Sequence, residues 1–288
     1  MGDLKKIPVT AYSMCNALGH TNREVMTNVE RGVSGLKTPR IDLPFDTTCG
    51  AVEGPLPAPP RRIESYNSVL LRLALIAYDE ISKAIAAAVR RWGSDRVALI
   101  MGTSTGGIED TEHAYHHFLN EQHFPSRYDF ELQHPFHITA EAIAKLTGIT
   151  GPRYVISTAC SSGGKTLAAA QRLLRAGVVD AVLTGSVDGL CQTTLRGFHS
   201  LSILSPEPCQ PFSRDRKGIS IGEGAGMLLL EREGESSVEL VGVGESSDAF
   251  HMSTPDPEGR GAIAAMKAAL DQAGIDPNEV DHVNAHGT

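Results

Sequence analysis

Tyr154-Val155-Ile156-Ser157-Thr158-Ala159-Cys160-Ser161-Ser162-Gly163-Gly164 is the stretch on which the reading of this chain turns. Its β-branched opening predicts a buried strand over 153–158. A turn of small residues then carries Cys160. A helix is predicted over 161–176, with Leu167, Ala168, Ala169, Ala170, Leu173, Leu174 and Ala176 in its pattern and Gly177 as its stop. Cys160 thus falls where a strand hands over to a helix N-terminus. Unpaired backbone N–H groups and the helix dipole favour a thiolate at such a place. Small neighbours leave room for a substrate to reach the sulfur. Most free cysteines, however, are buried packing residues. Strand–cysteine–helix alone supports the two readings about equally.

The same alternation extends on both sides. A first strand is predicted from Ile7 to Tyr12, a helix over about 66–91 and a strand over 96–102. Further strands are predicted over 180–185 and 224–231. This rhythm is α/β. Residues 43–62 hold Pro44, Pro55, Pro57, Pro59 and Pro60 and read as a surface connection. A faint repeat is visible. Strand, helix and the strand 97–101 opening into Gly102-Thr103-Ser104 are echoed by a strand over 238–243, a helix over about 259–273 and a strand over 280–285 opening into His286-Gly287-Thr288. A duplicated α/β unit fits, with the second copy expected to be incomplete at Thr288.

Composition narrows the function. With 288 residues, 41% hydrophobic and 21% charged, the chain has an ordinary globular make-up and enough length for a large core. It holds no apolar run near the ~20 residues that span a bilayer, so no membrane role is expected. Five cysteines with no pairing or metal-ligand spacing, and no secretory pattern, predict a reducing, cytoplasmic location. A net charge of −8 argues against nucleic acid and requires any acidic partner to dock on a local basic patch.

Four motifs, in order along the chain, carry a resemblance. They are Thr158-Ala159-Cys160-Ser161-Ser162-Gly163; Pro211-Phe212-Ser213-Arg214-Asp215-Arg216-Lys217-Gly218 with Gly222-Glu223-Gly224-Ala225-Gly226; Ser247 to Pro257; and Asn284-Ala285-His286-Gly287-Thr288. Together they resemble the β-ketoacyl-[acyl-carrier-protein] synthases, in particular the chain-elongating type. The resemblance implies a thiolase-like, layered αβαβα fold of two pseudo-repeats. Residues 1–236 would form the first half with the nucleophile, and 237–288 the start of the second.

The resemblance also implies roles. Cys160 would hold the acyl chain as a thioester, and its backbone N–H would form half of an oxyanion hole. His286 would hydrogen-bond the malonyl thioester oxygen where negative charge develops, a role that a neutral imidazole suits. Thr288 would hydrogen-bond the phosphopantetheine arm, which the acyl-carrier protein supplies. No further cofactor and no metal are expected. Thr105 stands where relatives gate the acyl pocket, and its small polar side chain suggests a polar or conjugated primer. Arg61 and Arg62 would dock the acidic carrier protein. A homodimer, or a pair with a homologous synthase, is implied.

The departures are as informative. The family carries a lysine, a second histidine and a Gly-Phe-Gly-Gly turn after the first histidine, and none lies within these residues. The 288-residue polypeptide by itself is therefore expected not to condense. Lys217, Ile219 and Ser220 replace an acidic, an aromatic and an aliphatic residue beside the substrate tunnel. Two other readings remain. Gly102-Thr103-Ser104-Thr105-Gly106 fits the nucleophile elbow of serine hydrolases, with Ser104 as nucleophile. The chain could also be a non-catalytic partner subunit, although such partners typically lack the cysteine. His113, His116 and His117 have metal-ligand spacing, but Glu109, Asp110, Glu112 and Tyr115 around them read as an ordinary solvated face.

Overall fold

The computed structural model describes residues 6–251 and 254–288. Its elements run β1 (Ile7–Cys15), α1 (Asn22–Glu30), β2 (Leu36–Lys37), β3 (Cys49–Gly50), α2 (Val69–Trp92), β4 (Val97–Gly102), α3 (Ile108–Glu121), α4 (Phe130–Gln133), α5 (Ile138–Thr147), β5 (Arg153–Ile156), α6 (Ser162–Arg175), β6 (Ala181–Asp188), α7 (Gln192–Ser200), β7 (Ile221–Gly222), β8 (Gly224–Glu231), β9 (Glu239–Leu240) and α8 (Arg260–Ala273). Six strands form one sheet in the order β5-β4-β6-β8-β1-β9. β5, β4 and β6 are parallel, whereas β8 runs antiparallel to both β6 and β1.

Period-two alternation explains how both faces are covered. Val97, Leu99 and Met101 of β4 join Ala181, Leu183 and Val187 of β6, and Met227 and Leu229 of β8, in the core that α2 and α5 cover. Ala98, Ile100, Val182 and Leu230 face the other way, onto Ala169, Ala170 and Leu174 of α6. Each fully buried leucine here contributes about 2 kcal/mol. The central strands are buried on both faces, which is why they read as unbroken apolar runs. At the strands' entry end, Asp180 accepts from Arg96 Nε at 2.6 Å and from an Arg232 NH group at 2.7 Å, tying β4, β6 and β8 together.

Several expectations are corrected. The cysteine strand ends at Ile156 and is an edge strand, with Arg153 and Tyr154 exposed and Val155 and Ile156 half-buried. Its aromatic and β-branched residues suit a half-covered edge as well as a centre. The strand predicted over 238–243 is only Glu239–Leu240, because the following residues turn across α8. Gly244 passes so close that a Cβ on it would fall 1.9 Å from the Ala265 carbonyl oxygen. No strand forms over 280–285. A strand needs a ladder partner, and none is offered there among the described residues. Arg61 and Arg62 open a 3-10 turn, Arg61–Tyr66, just before α2. Met252 and Ser253, inside the third quoted motif, lie outside the described residues.

β6 and β8 lock at Gly185, where a Cβ would stand 2.0 Å from the Gly226 carbonyl oxygen. Backbone cannot yield as a side chain can. Gly185→Ala is expected to lower unfolding free energy by about 3 kcal/mol or more, read as a drop in the urea midpoint.

Candidate active site

The turn at Cys160 is held by two serines. Ala159 adopts a left-handed conformation, φ 51°, which costs an alanine roughly 1 kcal/mol. Ser162 Oγ compensates by donating to the Ala159 carbonyl at 2.6 Å and accepting from Thr158 N–H at 2.9 Å. Ser161 Oγ donates to the Thr158 carbonyl at 2.8 Å. Thr158 and Cys160 form an isolated bridge across the bend. Cys160 is exposed, unlike Cys15, Cys49 and Cys191, which are buried. It immediately precedes Ser161, the last residue before the fourteen-residue α6. Burial raises the Cys15 and Cys49 thiols to about 11, with Glu223 adding to the effect, so they stay protonated and inert.

Cys160 opens on a cleft of about 710 Å³. One wall is α6, with Gly164, Lys165 and Ala168; the other is the 242–248 segment and the small-residue face of α8. Two ion pairs clamp the walls: Glu245 takes Lys165 at 3.0 Å and Arg172 at 2.6 Å. His286 and Thr288 do not line this cleft, and both are exposed. Their loop passes the Pro211 turn instead, where a Cβ on Gly287 would fall 3.6 Å from Pro211 Cβ. The second and fourth quoted motifs therefore meet.

Thr105 is buried, 6% exposed, in the loop between β4 and α3. Ser104 beside it is exposed, and no histidine hydrogen-bonds it among the described residues. Arg61 and Arg62 are exposed, as docking requires.

The β-ketoacyl synthase N-terminal domain matches residues 58–236, and the β-ketoacyl synthase C-terminal domain matches residues 238–288. The chain belongs to the β-ketoacyl synthase family. It is 29% identical to the 3-oxoacyl-[acyl-carrier-protein] synthase 2 of Staphylococcus aureus (strain COL), over 100% of this chain and 74% of that protein. It is 33% identical to nodulation protein E of Rhizobium meliloti (strain 1021), over 75% of this chain and 55% of that protein. A solved ketosynthase in complex with its chain length factor, from Xenorhabdus doucetiae, superposes with a TM-score of 0.93 at 38% identity, covering 100% of this chain and 73% of that one. The thiolase-like fold and the activity class, a condensing acyltransferase of fatty-acid or polyketide-type synthesis, follow.

The α3 face bearing Glu109, Asp110 and Glu112 is not simply solvated. Asp110 accepts from Val69 N–H at 2.9 Å. Glu112 accepts from the first N–H groups of α7, Gln192 at 2.8 Å and Thr193 at 2.6 Å. Glu109 lies behind Thr105, against Gly189 and Cys191, and its Oε2 is buried with no hydrogen-bond partner. Burial, then repulsion from Glu223, Asp110 and Glu112, pushes its carboxyl from 4.5 up to about 8. Only tertiary packing buries it, because the i, i+3 pattern of charges alone reads as surface. His113 and His116 are exposed, and His117 packs edge-on to His123.

A raised carboxyl means that the folded chain holds a proton the unfolded chain has released between about pH 4.5 and 8. Stability from this group is therefore full below that window and is lost as pH rises through it. Glu109→Gln should flatten this decline, gaining on the native chain as pH is raised, in denaturant unfolding followed across the same window.

Proposed function

We propose that Cys160 is the nucleophile that carries the growing acyl chain in decarboxylative condensation. The observation that carries this reading is the exposed sulfur on a strained turn, before the N-terminus of α6 and open to a large cleft. The thiolate adds to the carbonyl carbon of an acyl-carrier thioester. The carrier's phosphopantetheine sulfur leaves and takes a proton, and the chain rests on Cys160. A malonyl-carrier thioester then loses CO2, and the enolate carbon attacks the Cys160 thioester carbonyl. The carbon–sulfur bond breaks, Cys160 is released, and the carrier leaves with a β-ketoacyl chain two carbons longer.

The Cys160 N–H would stabilise the oxyanion in acyl transfer, and His286 would donate to the enolate oxygen. Thr288 would bind the phosphopantetheine arm. That arm belongs to the carrier, and the reaction needs no metal. Arg61 and Arg62, on an exposed 3-10 turn, are the proposed dock for the acidic carrier. Residues 1–236 and 237–288 are read as the first half and the beginning of the second. The structural relative captured with a chain length factor supports a pairing with a second copy or a homologous subunit. The open edge of β5 offers unpaired backbone groups to such a partner. The presence of Cys160 favours the reactive rather than the passive member of a pair. No helix among the described residues is long and apolar enough to cross a membrane, and five unpaired cysteines suit the cytoplasm.

Incubation with an acyl-carrier thioester should add one acyl group to Cys160, located by intact-mass and peptide analysis, and Cys160→Ser should take none. Labelling of Ser104 by a fluorophosphonate with Cys160 untouched would favour the hydrolase reading instead. In a chain that also carries the family's lysine, second histidine and Gly-Phe-Gly-Gly turn, His286→Ala is expected to leave acylation in place and to lower ketoacyl formation by about 10²–10³-fold. Charge reversal at Arg61 and Arg62 should weaken carrier binding about tenfold at low salt, with less effect at high salt.

A further inference from the structure

Asp188 is the last residue of β6. Its Oδ1 accepts from Ser104 N–H at 2.6 Å, Thr103 Oγ1 at 3.0 Å, Thr105 N–H at 3.1 Å and Thr105 Oγ1 at 3.2 Å. Thr105 Oγ1 also accepts from Gly189 N–H at 3.2 Å. Thr103 Oγ1 adds a second layer by accepting from Thr105 N–H at 3.3 Å and Gly106 N–H at 3.1 Å. Successive N–H groups aimed at one anionic oxygen form a backbone nest. Hydrogen bonds to an ionised acceptor are roughly twice as strong as neutral ones. A loop with glycine at 102, 106 and 107 is conformationally free by itself; the carboxylate supplies the order.

The same strand supports the nucleophile. Ser186 Oγ lies 3.0 Å from where a Cβ on Gly163 would be, just past the Cys160 turn. Asp188 thus ties the β4–α3 loop to β6, and Ser186, two residues earlier on the same strand, lies close against the start of α6 beside the Cys160 turn. The β4–α3 loop and the start of α6 thus meet the same stretch of one strand.

We propose that Asp188 is a positioning residue for acyl-group selection, holding Thr105 at a set place relative to Cys160. The inference rests on the reading of Thr105 as the residue that gates the acyl pocket. The Thr105 hydroxyl is committed to Asp188 and to Gly189 N–H. Selection then acts through the position of the loop rather than through a free hydroxyl, and this removes the reason for expecting a polar primer.

The test compares acetyl and dodecanoyl carrier thioesters as donors to Cys160 in the full chain, native and with Asp188→Ala, Asp188→Asn, Thr105→Val and Thr103→Val. Asp188→Ala should change the ratio of the two acylation rates about tenfold or more. Asp188→Asn keeps an acceptor oxygen and should restore most of the native ratio. Thr103→Val removes one donor from the anchor and should move the ratio in the same direction, which covers failure of Asp188→Ala to fold. A ratio that stays native while both rates fall together would make Asp188 merely structural and overturn the proposal. A ratio that Thr105→Val does not move would sink the gate reading instead. Amide exchange at Ser104 and Thr105 reads the anchor without any chemistry. It should quicken in Asp188→Ala while β4 stays protected, and unchanged exchange would overturn the proposal even if no thioester acylates the native chain.

Discussion

Gly102 meets the backbone of Ser162 so closely that a Cβ would lie 2.9 Å from the Ser162 carbonyl carbon. The rest of the site depends on this contact. It brings the end of β4 against the first turn of α6, and so decides where the helix starts relative to the sheet. With Ser162 placed, its hydroxyl can hold both Thr158 and Ala159. With those held, Cys160 is turned outward rather than packed. Small residues run through this region because backbone, not side chain, makes the contacts.

β6 is the frame on which this is assembled. Its middle is buried on both faces, so it cannot shift without opening two cores. Its entry end is pinned by the Arg96–Asp180–Arg232 network, and its exit end reaches both functional loops through Ser186 and Asp188. Rigidity made by apolar burial is thereby delivered to two loops that have little burial of their own. The buried acid Glu109 sits behind one of them. Burial there, with Glu223, Asp110 and Glu112 nearby, favours the neutral form of its carboxyl.

The wall opposite Cys160 is built differently. Gly242 and Gly244 let the chain lie directly on α8, and Glu245 ties it to α6 through Lys165 and Arg172. Ion pairs that are this exposed contribute little each. The wall is therefore held mainly by close backbone packing, and the cleft between the two walls stays open.

Much of this was legible in the residues. The strands of β4, β6 and β8 and the helix α6 follow from apolar runs and periodicity, since burial on both faces or on one stripe leaves that record. The four motifs, in order, identify the family and single out Cys160. Other features were not legible. Whether Val155 and Ile156 lie at a centre or an edge depends on what β5 pairs with. Whether 280–285 is a strand depends on a partner strand. Glu109 reads as a surface charge until α7 and Gly189 close over it, and Asp188 is an unremarked residue until the β4–α3 loop folds onto its oxygen. Local sequence determined β4, β6, β8, α6 and the small-residue turn at Cys160 because those depend on neighbours a few residues apart. Only the tertiary structure decided which acid is buried, which strand is an edge and which carboxylate holds the loop, because each of those depends on groups brought together from distant parts of the chain.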